Sequence, residues 1–189
     1  MRTLIFTLFF ILSGILAAQE TTTATAAANH EIGLRLTGLT NFGMIYKKQL
    51  APLKYRRVRL ASAGLGFRSL GTDRNETNFG VNVAIGTERR AQLGGNFFFH
   101  HGPEPFGGIN WVRSAAGSSS LNTLSVNAGL GYVLGFQAVV SERITIGLET
   151  IPSVQLSYTA VTNSNGLFGF MAGFDANAVA LTATYSFVR

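Results

Sequence analysis

Two adjacent histidines, His100 and His101, are the residues of this chain whose side chains most directly suggest catalysis or metal binding. Glu104 follows three residues later, and histidine and carboxylate groups are common zinc ligands. In a β-strand, however, neighbouring side chains point to opposite faces, so His100 and His101 could not bind the same ion. His100 and Glu104 share one face, and His101 lies on the other. We keep His100 as a site candidate and predict neither a metal site nor a cofactor.

His100 could also take part in nucleophilic catalysis. A serine hydrolase needs a histidine between a serine and a carboxylate, and Glu88 or Glu149 could supply the acid in space. Serines are plentiful, but no sequence signature links one of them to His100. A lipid-modifying enzyme is therefore one alternative for this chain, while a non-enzymatic role is favoured.

Several charged residues share the side of their predicted strands with small polar residues. These inward-facing candidates are Arg35, Arg59, Glu88, Glu104 and Glu149. If the strands close into a barrel, the charges lie in a narrow interior where an unpaired charge costs several kcal/mol. Paired charges would form a structural plug, and a gated narrow path is the alternative. Arg59 starts one strand and Glu88 ends the next, so we expect these two side chains to pair.

Positive charge is concentrated between residues 47 and 59. The basic residues of this stretch are Lys47, Lys48, Lys54, Arg56, Arg57 and Arg59. A cluster of this kind could contact nucleic acid, but we do not predict nucleic acid as a partner, because the N-terminal segment of the chain is typical of an exported protein. We interpret the stretch as a basic rim that meets anionic lipid head groups or phosphates.

The N-terminal segment is typical of a secretory signal peptide. Arg2 precedes an almost wholly apolar stretch at 4–16, and small residues follow at 17–18. This apolar stretch is shorter than the ~20 residues that span a bilayer as a helix, so we predict cleavage after residue 18. Residues 19–29 are rich in Thr and Ala and predict a flexible leader. The remaining domain is then 30–189.

Apolar residues alternate with small polar ones along most of this domain, which indicates β-strands. In 124–136 the apolar positions lie opposite glycine, serine and asparagine. Such runs exceed the ~5–6 residues of a typical soluble strand, and only 13% of residues are charged. The pattern predicts a lipid-facing exterior and a crowded polar interior. The chain has no cysteine, which excludes disulfides, thiolate metal sites and an N-terminal lipid anchor.

The turn positions predict eight antiparallel strands. In outer-membrane barrels the short turns face the periplasm and the longer loops face the exterior. Short connections at 51–53, 90–92 and 141–142 alternate with longer ones at 71–77, 116–122 and 159–175. The predicted strands are 31–39, 42–50, 54–69, 78–90, 94–114, 122–139, 142–159 and 176–188. Apolar parity shifts near Ser62 in the third strand, and prolines at 103 and 105 interrupt the fifth, where we expect a bulge or a rim position.

The last strand carries the most specific signal. Val179, Leu181, Ala183, Tyr185 and Phe187 alternate with small residues, and this resembles the C-terminal strand by which outer-membrane barrels are recognised for assembly. That pattern usually ends on its aromatic residue, whereas two residues follow Phe187 here. The segments 45–48, 86–90 and 135–149 also resemble the outer-membrane protein β-barrel family. The resemblance covers most of 31–189 and implies an eight-stranded barrel of OmpA- or OmpX-like architecture, without shared catalytic residues.

These observations predict an all-β, antiparallel up-and-down transmembrane barrel in the bacterial outer membrane. Its expected partners are outer-membrane lipid or lipopolysaccharide and, through the C-terminal strand, the barrel assembly machinery. We expect a monomer that binds no nucleic acid and has a structural or surface-interaction role in the envelope. The alternatives are a lipid- or lipopolysaccharide-modifying enzyme and a narrow ion or small-solute channel. An eight-stranded lumen is just wide enough for its own side chains, which disfavours general diffusion.

Overall fold

The computed structural model describes residues 30–37, 41–69, 74–116, 119–162, 164–173 and 179–187, without the side chains of Asn41 and Arg74. The predicted signal peptide, the leader and the first connection lie outside these residues. The described strands are β1 (His30–Thr37), β2 (Asn41–Ala51), β3 (Lys54–Ser69), β4 (Arg74–Gly94), β5 (Phe97–Ala116), β6 (Ser119–Val139), β7 (Ile144–Thr150), β8 (Ser153–Val161), β9 (Leu167–Gly173) and β10 (Val179–Phe187). In this part of the chain no helix is long and apolar enough to cross a membrane.

The strands close into a ring. Strands β1 to β7 pair with their neighbours in sequence order, β7 pairs with β10, and β10 pairs with β1, always antiparallel. The ring therefore has eight strands, and the predicted all-β, antiparallel up-and-down barrel is confirmed.

The two remaining strands extend the wall beyond the ring. β8 continues β7 against β6 in an unchanged register, since Leu134 lies opposite Thr150 and Gly131 lies opposite Ser153. Pro152, which has no N–H, separates the two strands. β9 pairs with β8 in the stretch where we predicted a loop at 159–175. That prediction is wrong for 167–173, which is an apolar run that pairs with residues 153–159 of β8.

The turns lie close to their predicted places, with one clear correction. The turns at residues 52–53 and around 141–143 agree with the sequence. The turn predicted at 90–92 is instead at 95–96, because Gly94 and Gly95 adopt positive φ angles of 149° and 52° that favour glycine. The loops predicted at 71–77 and 116–122 are shorter than expected, since β4 begins at Arg74 and β6 at Ser119.

Two irregularities in the wall involve β3 and β5. The register of β3 against β4 shifts between Leu60 and Ser62, which is where the apolar parity of the sequence changes. β5 runs without interruption through Pro103 and Pro105, so our prediction of a bulge or a rim position at these prolines is wrong. The β5–β6 ladder is continuous there, whereas the β4–β5 ladder has a gap between the pairs Ala84–Phe106 and Arg89–His101. Both prolines lack an N–H, which accounts for a gap on one side of the strand only.

The interior of the ring is polar and the exterior is apolar. Among the described residues, the large exposed side chains on the outer faces include Ile32, Leu34, Met44, Ile85, Leu130, Phe136, Ile146, Leu148 and Leu181. Most buried side chains are instead charged or polar. A soluble protein has the reverse distribution, with apolar side chains inside and polar side chains outside. The charged residues that could carry a function therefore lie inside the ring.

Candidate functional site

Nine charged side chains meet inside the ring, on the side of the short turns. They are Glu31, Arg35, Lys47, Arg57, Arg59, Glu88, Arg90, Glu104 and Glu149. None of these side chains is more than 10% exposed. The set contains five cations and four carboxylates from six strands of the ring. We call this set the lumen network.

Arg57 is the centre of the lumen network. Its guanidinium group donates from Nε to Glu104 at 2.6 Å and from both terminal nitrogens to Glu149 at 2.7 Å. The same group lies 3.4 Å from a carboxylate oxygen of Glu88. Arg57 is fully buried, so its charge depends on these three carboxylates for stabilisation. One β3 side chain thus connects β4, β5 and β7.

The other four cations surround this centre. Arg35 donates to Glu149 at 2.6 Å, Arg59 lies 2.6 Å from Glu104, and Lys47 lies 2.7 Å from Glu88. Arg90 bonds to both oxygens of Glu31 at 2.7 Å and to Glu88 at 2.8 Å. Every carboxylate of the lumen network therefore contacts at least one cation. Such pairing offsets the desolvation that would otherwise keep charges out of a narrow interior.

Small residues make room for these long side chains. A Cβ atom at Gly86 would lie 2.5 Å from the Pro103 carbonyl oxygen and 3.0–3.1 Å from Cα and Cβ of Glu104, so a larger residue there would push β5 and its Glu104 side chain away. A side chain at Gly135 would likewise collide with the imidazole ring of His100, at 2.5 Å. β6 and β10 contribute no charge to the lumen network and carry small or neutral inward residues such as Gly131, Ala180 and Thr182. The alternation of large and small residues fits the limited width of an eight-stranded ring.

The structure brings all five predicted inward charges, Arg35, Arg59, Glu88, Glu104 and Glu149, into the lumen network. Our prediction that Arg59 pairs with Glu88 is wrong, because the Arg59 side chain donates a hydrogen bond to Glu104 instead. Arg59 lies opposite Ala84 on β4, four residues from Glu88, or roughly 13 Å at the usual strand rise. The sequence reasoning also missed Glu31, Lys47, Arg90 and the central Arg57 as members. Their parity could have indicated them, since each lies two residues from an inward position.

The two histidines lie on opposite faces of β5. The imidazole of His100 is buried, its Nε2 lies 3.6 Å from a carboxylate oxygen of Glu149, and neither ring nitrogen has a hydrogen-bond partner among the described residues. His101 faces outward, accepts or donates a 2.8 Å hydrogen bond with the Tyr132 hydroxyl and stacks on Phe99. No serine hydroxyl in the described chain bonds to His100, and the described residues include no group of metal-binding side chains. The interactions that the described residues form around Glu149 are ion pairs with Arg35 and Arg57.

Known proteins offer a limited comparison. No family model matches this chain, and no curated protein matches it. The fold is similar to the crystal structure of CarO from Acinetobacter baumannii, with a TM-score of 0.42 and 8% sequence identity. The similarity covers 88% of this chain and 100% of that chain.

Replacing Arg57 with methionine should destabilise the barrel far more than the same change at Arg56. Arg57→Met leaves three buried carboxylates without their central partner and should cost about 3–5 kcal/mol of unfolding free energy. Arg56 is the next residue and is exposed on the outer face, so Arg56→Met should change stability by no more than about 0.5 kcal/mol. Denaturant titration in zwitterionic detergent measures both variants. Equal losses would contradict the assigned faces of β3.

A double-mutant cycle should distinguish the observed partner of Arg59 from the expected one. Arg59→Met and Glu104→Gln should be coupled by about 0.5–3 kcal/mol, because their side chains are in direct contact. Arg59→Met combined with Glu88→Gln serves as the control and should show weaker coupling, since Glu88 binds other cations. A stronger coupling between Arg59 and Glu88 would mean that the register of β3 against β4 is wrong.

Proposed function

We propose that this protein is a closed β-barrel of the bacterial outer membrane with a non-enzymatic role in envelope structure or surface interaction. The lumen network is the observation that carries this proposal. Arg57, Glu88 and Glu104 are each fully buried, so these side chains at the middle of the network are not exposed to solvent. A barrel whose interior is filled by paired charges is suited to a structural role rather than to general diffusion.

The outer surface supports a membrane location. Along β6 the apolar outward positions run from Leu124 to Phe136, a separation of twelve residues. At a rise of ~3.3 Å per residue and a tilt of ~40°, this band is roughly 30 Å tall, close to the apolar height of an outer-membrane barrel. Leu130, in the middle of the band, is 51% exposed in the isolated chain. In water such an exposed apolar surface would cause aggregation, whereas contact with lipid removes it from water.

The connections support an orientation for the barrel. The short turns after β2, β4 and β6 lie at the same end as the start of β1 and the end of β10. In bacterial outer-membrane barrels that end faces the periplasm. The lumen network lies in this half, so the protein would be sealed from the periplasmic side.

The opposite end supports a role at the cell surface. Beyond the bulge, β3 continues from Ser62 to Ser69 against β4 without pairing to β2. β5, β6, β8 and β9 extend in the same direction and form a tall wall on one side of the ring. Side chains on this wall such as Leu65, Phe67 and Phe168 are 74–87% exposed. Projecting strands with exposed apolar residues could contact lipopolysaccharide or another surface molecule.

Leu130→Arg should be much more damaging than Asn127→Ser if the outer face contacts lipid. An arginine near the middle of the membrane costs about 2–4 kcal/mol, whereas Asn127 faces the lumen and has a buried side-chain oxygen without a described partner. Stability is measured by denaturant titration after insertion into phospholipid vesicles. Similar losses for the two variants would mean that the predicted lipid face is wrong.

The purified wild-type protein should produce no stepwise conductance in a planar bilayer, because the side chains at the centre of the lumen network are buried and paired. The same preparation should not deacylate lipopolysaccharide or phospholipid. Regular single-channel steps would instead favour the narrow-channel alternative. Lipid hydrolysis that disappears in His100→Ala, with the barrel still folded by gel mobility, would favour the enzyme.

A further inference from the structure

The basic stretch at 47–59 separates into two groups with opposite positions in the wall. Lys47, Arg57 and Arg59 project inward and belong to the lumen network. Lys48, Lys54 and Arg56 are exposed and project outward from β2 and β3. Arg89 of β4 is exposed beside them. We call these four outward residues the basic face, and the lumen network does not explain them.

The basic face contains like charges in direct opposition. Lys48 lies opposite Arg56 in the β2–β3 ladder, and Lys54 lies opposite Arg89 in the β3–β4 ladder. Cβ atoms of such cross-strand pairs are about 4.5–5.5 Å apart, and like charges at this separation repel. None of the four side chains forms an ion pair with a described residue. A neighbouring anion would remove this repulsion.

No carboxylate of the described wall supplies that anion. The outward positions of β2, β3 and β4 contain no Asp or Glu in their described parts, because Glu76 and Glu88 of β4 both lie at inward positions of that strand. The uncompensated charge on this face is therefore +4. An external ligand with negative charge fits the face better than any residue of the chain.

The surroundings identify the ligand as an amphiphile. One step up the strands from Arg56, the outward positions are Val58, Tyr46 and Ile85, which lie side by side across β2, β3 and β4. Tyr46 is 38% exposed and Ile85 is 55% exposed, and they begin the apolar outer band. A molecule bound here would place its anionic group on the basic face and its hydrocarbon chains on this apolar surface. A soluble phosphate would leave the apolar part unused.

The charge is confined to one side of the barrel. On the opposite side, at the same end, the corresponding cation is Arg143, which donates to the Tyr185 hydroxyl at 3.0 Å and follows Glu142 in sequence. His30 at this end stacks between Tyr46 and Phe187. The basic face is therefore a local site and not a uniform ring of charge around the molecule.

We propose that the basic face binds the phosphate of an anionic phospholipid, with the acyl chains lying along Tyr46, Val58 and Ile85. This inference rests on the proposed membrane location and orientation, which place the site in the periplasmic leaflet. Lys48 and Arg56 contact one side of the head group, and Lys54 and Arg89 contact the other. The lipid neutralises the repulsion between the paired cations and thereby stabilises β2, β3 and β4 against one another.

The test compares two double variants of the full chain that remove equal charge. Lys48→Gln/Arg56→Gln removes half of the basic face, and Arg113→Gln/Arg143→Gln is the matched control, with exposed residues elsewhere on the wall. Protein purified from membranes in zwitterionic detergent is titrated with phosphatidylglycerol, phosphatidylcholine or inorganic phosphate. Bound lipid is counted by native mass spectrometry, and the denaturant midpoint is measured in parallel.

Phosphatidylglycerol should bind the wild type and the control equally and bind the Lys48→Gln/Arg56→Gln variant at least tenfold more weakly, since each cation near an anionic lipid contributes roughly fivefold. Without lipid, the same variant should be as stable as the wild type or more stable, because a repulsive pair is gone. Adding phosphatidylglycerol should raise the midpoint of the wild type and of the control but not that of the Lys48→Gln/Arg56→Gln variant.

Each of four results would overturn the proposal. Equal loss of lipid in both double variants would show that only net charge matters. Equal binding of phosphatidylcholine would show that the anionic group is not recognised, and an equal midpoint shift with inorganic phosphate would indicate a free-anion site. Insertion into vesicles is assayed separately: a wild type that inserts but ignores phosphatidylglycerol disproves this site alone, whereas failure to insert disproves the membrane location as well.

Discussion

Arg57 donates to or contacts carboxylates from three other strands, and the closed ring is organised around these interactions. Each carboxylate is held at one height by the register of its own strand. A one-residue shift of β3 would turn Arg57 to the outer face and bring Arg56 inside, which exchanges the faces of the whole strand. Three buried carboxylates would then lack their central cation. The cost of that exchange ties the registers of β3, β4, β5 and β7 to one another.

The lumen network also spans a gap in the backbone ladder of the wall. The β4–β5 ladder has its gap near Pro103 and Pro105, where β5 cannot donate backbone hydrogen bonds toward β4. Glu88 of β4 and Glu104 of β5 lie at this level, and both are held by Arg57. Side-chain ion pairs thus connect two strands where the backbone does not. The prolines project outward, so their rings add to the apolar surface while the seam is closed from inside.

Sequence periodicity predicted the barrel because alternation is imposed on every strand by the two different environments of the wall. The same rule separates Lys47 from Lys48 and Arg56 from Arg57, which composition alone would group together. Partners inside the lumen were harder to predict. Parity indicates the face of the strand on which a side chain lies but not its height along the barrel axis. The predicted pair of Arg59 with Glu88 was wrong for this reason, because the residue opposite Arg59 on β4 lies four positions from Glu88. The strand at 167–173 was missed because both of its faces are apolar or glycine, which gives no alternation to detect.

The pairing of β1 with β10 has a consequence for how the molecule forms. Glu31 lies opposite Ser186, so the ring closes through contacts between the two most distant parts of the described chain. Local hairpins form early in folding, whereas contacts between distant segments carry a larger entropic cost and form late. We therefore expect the ion pair between Arg35 of β1 and Glu149 of β7 to form only when β1 meets β10. On that order of events the interior charges lose their last water when the ring closes, and ring closure is the final step of assembly.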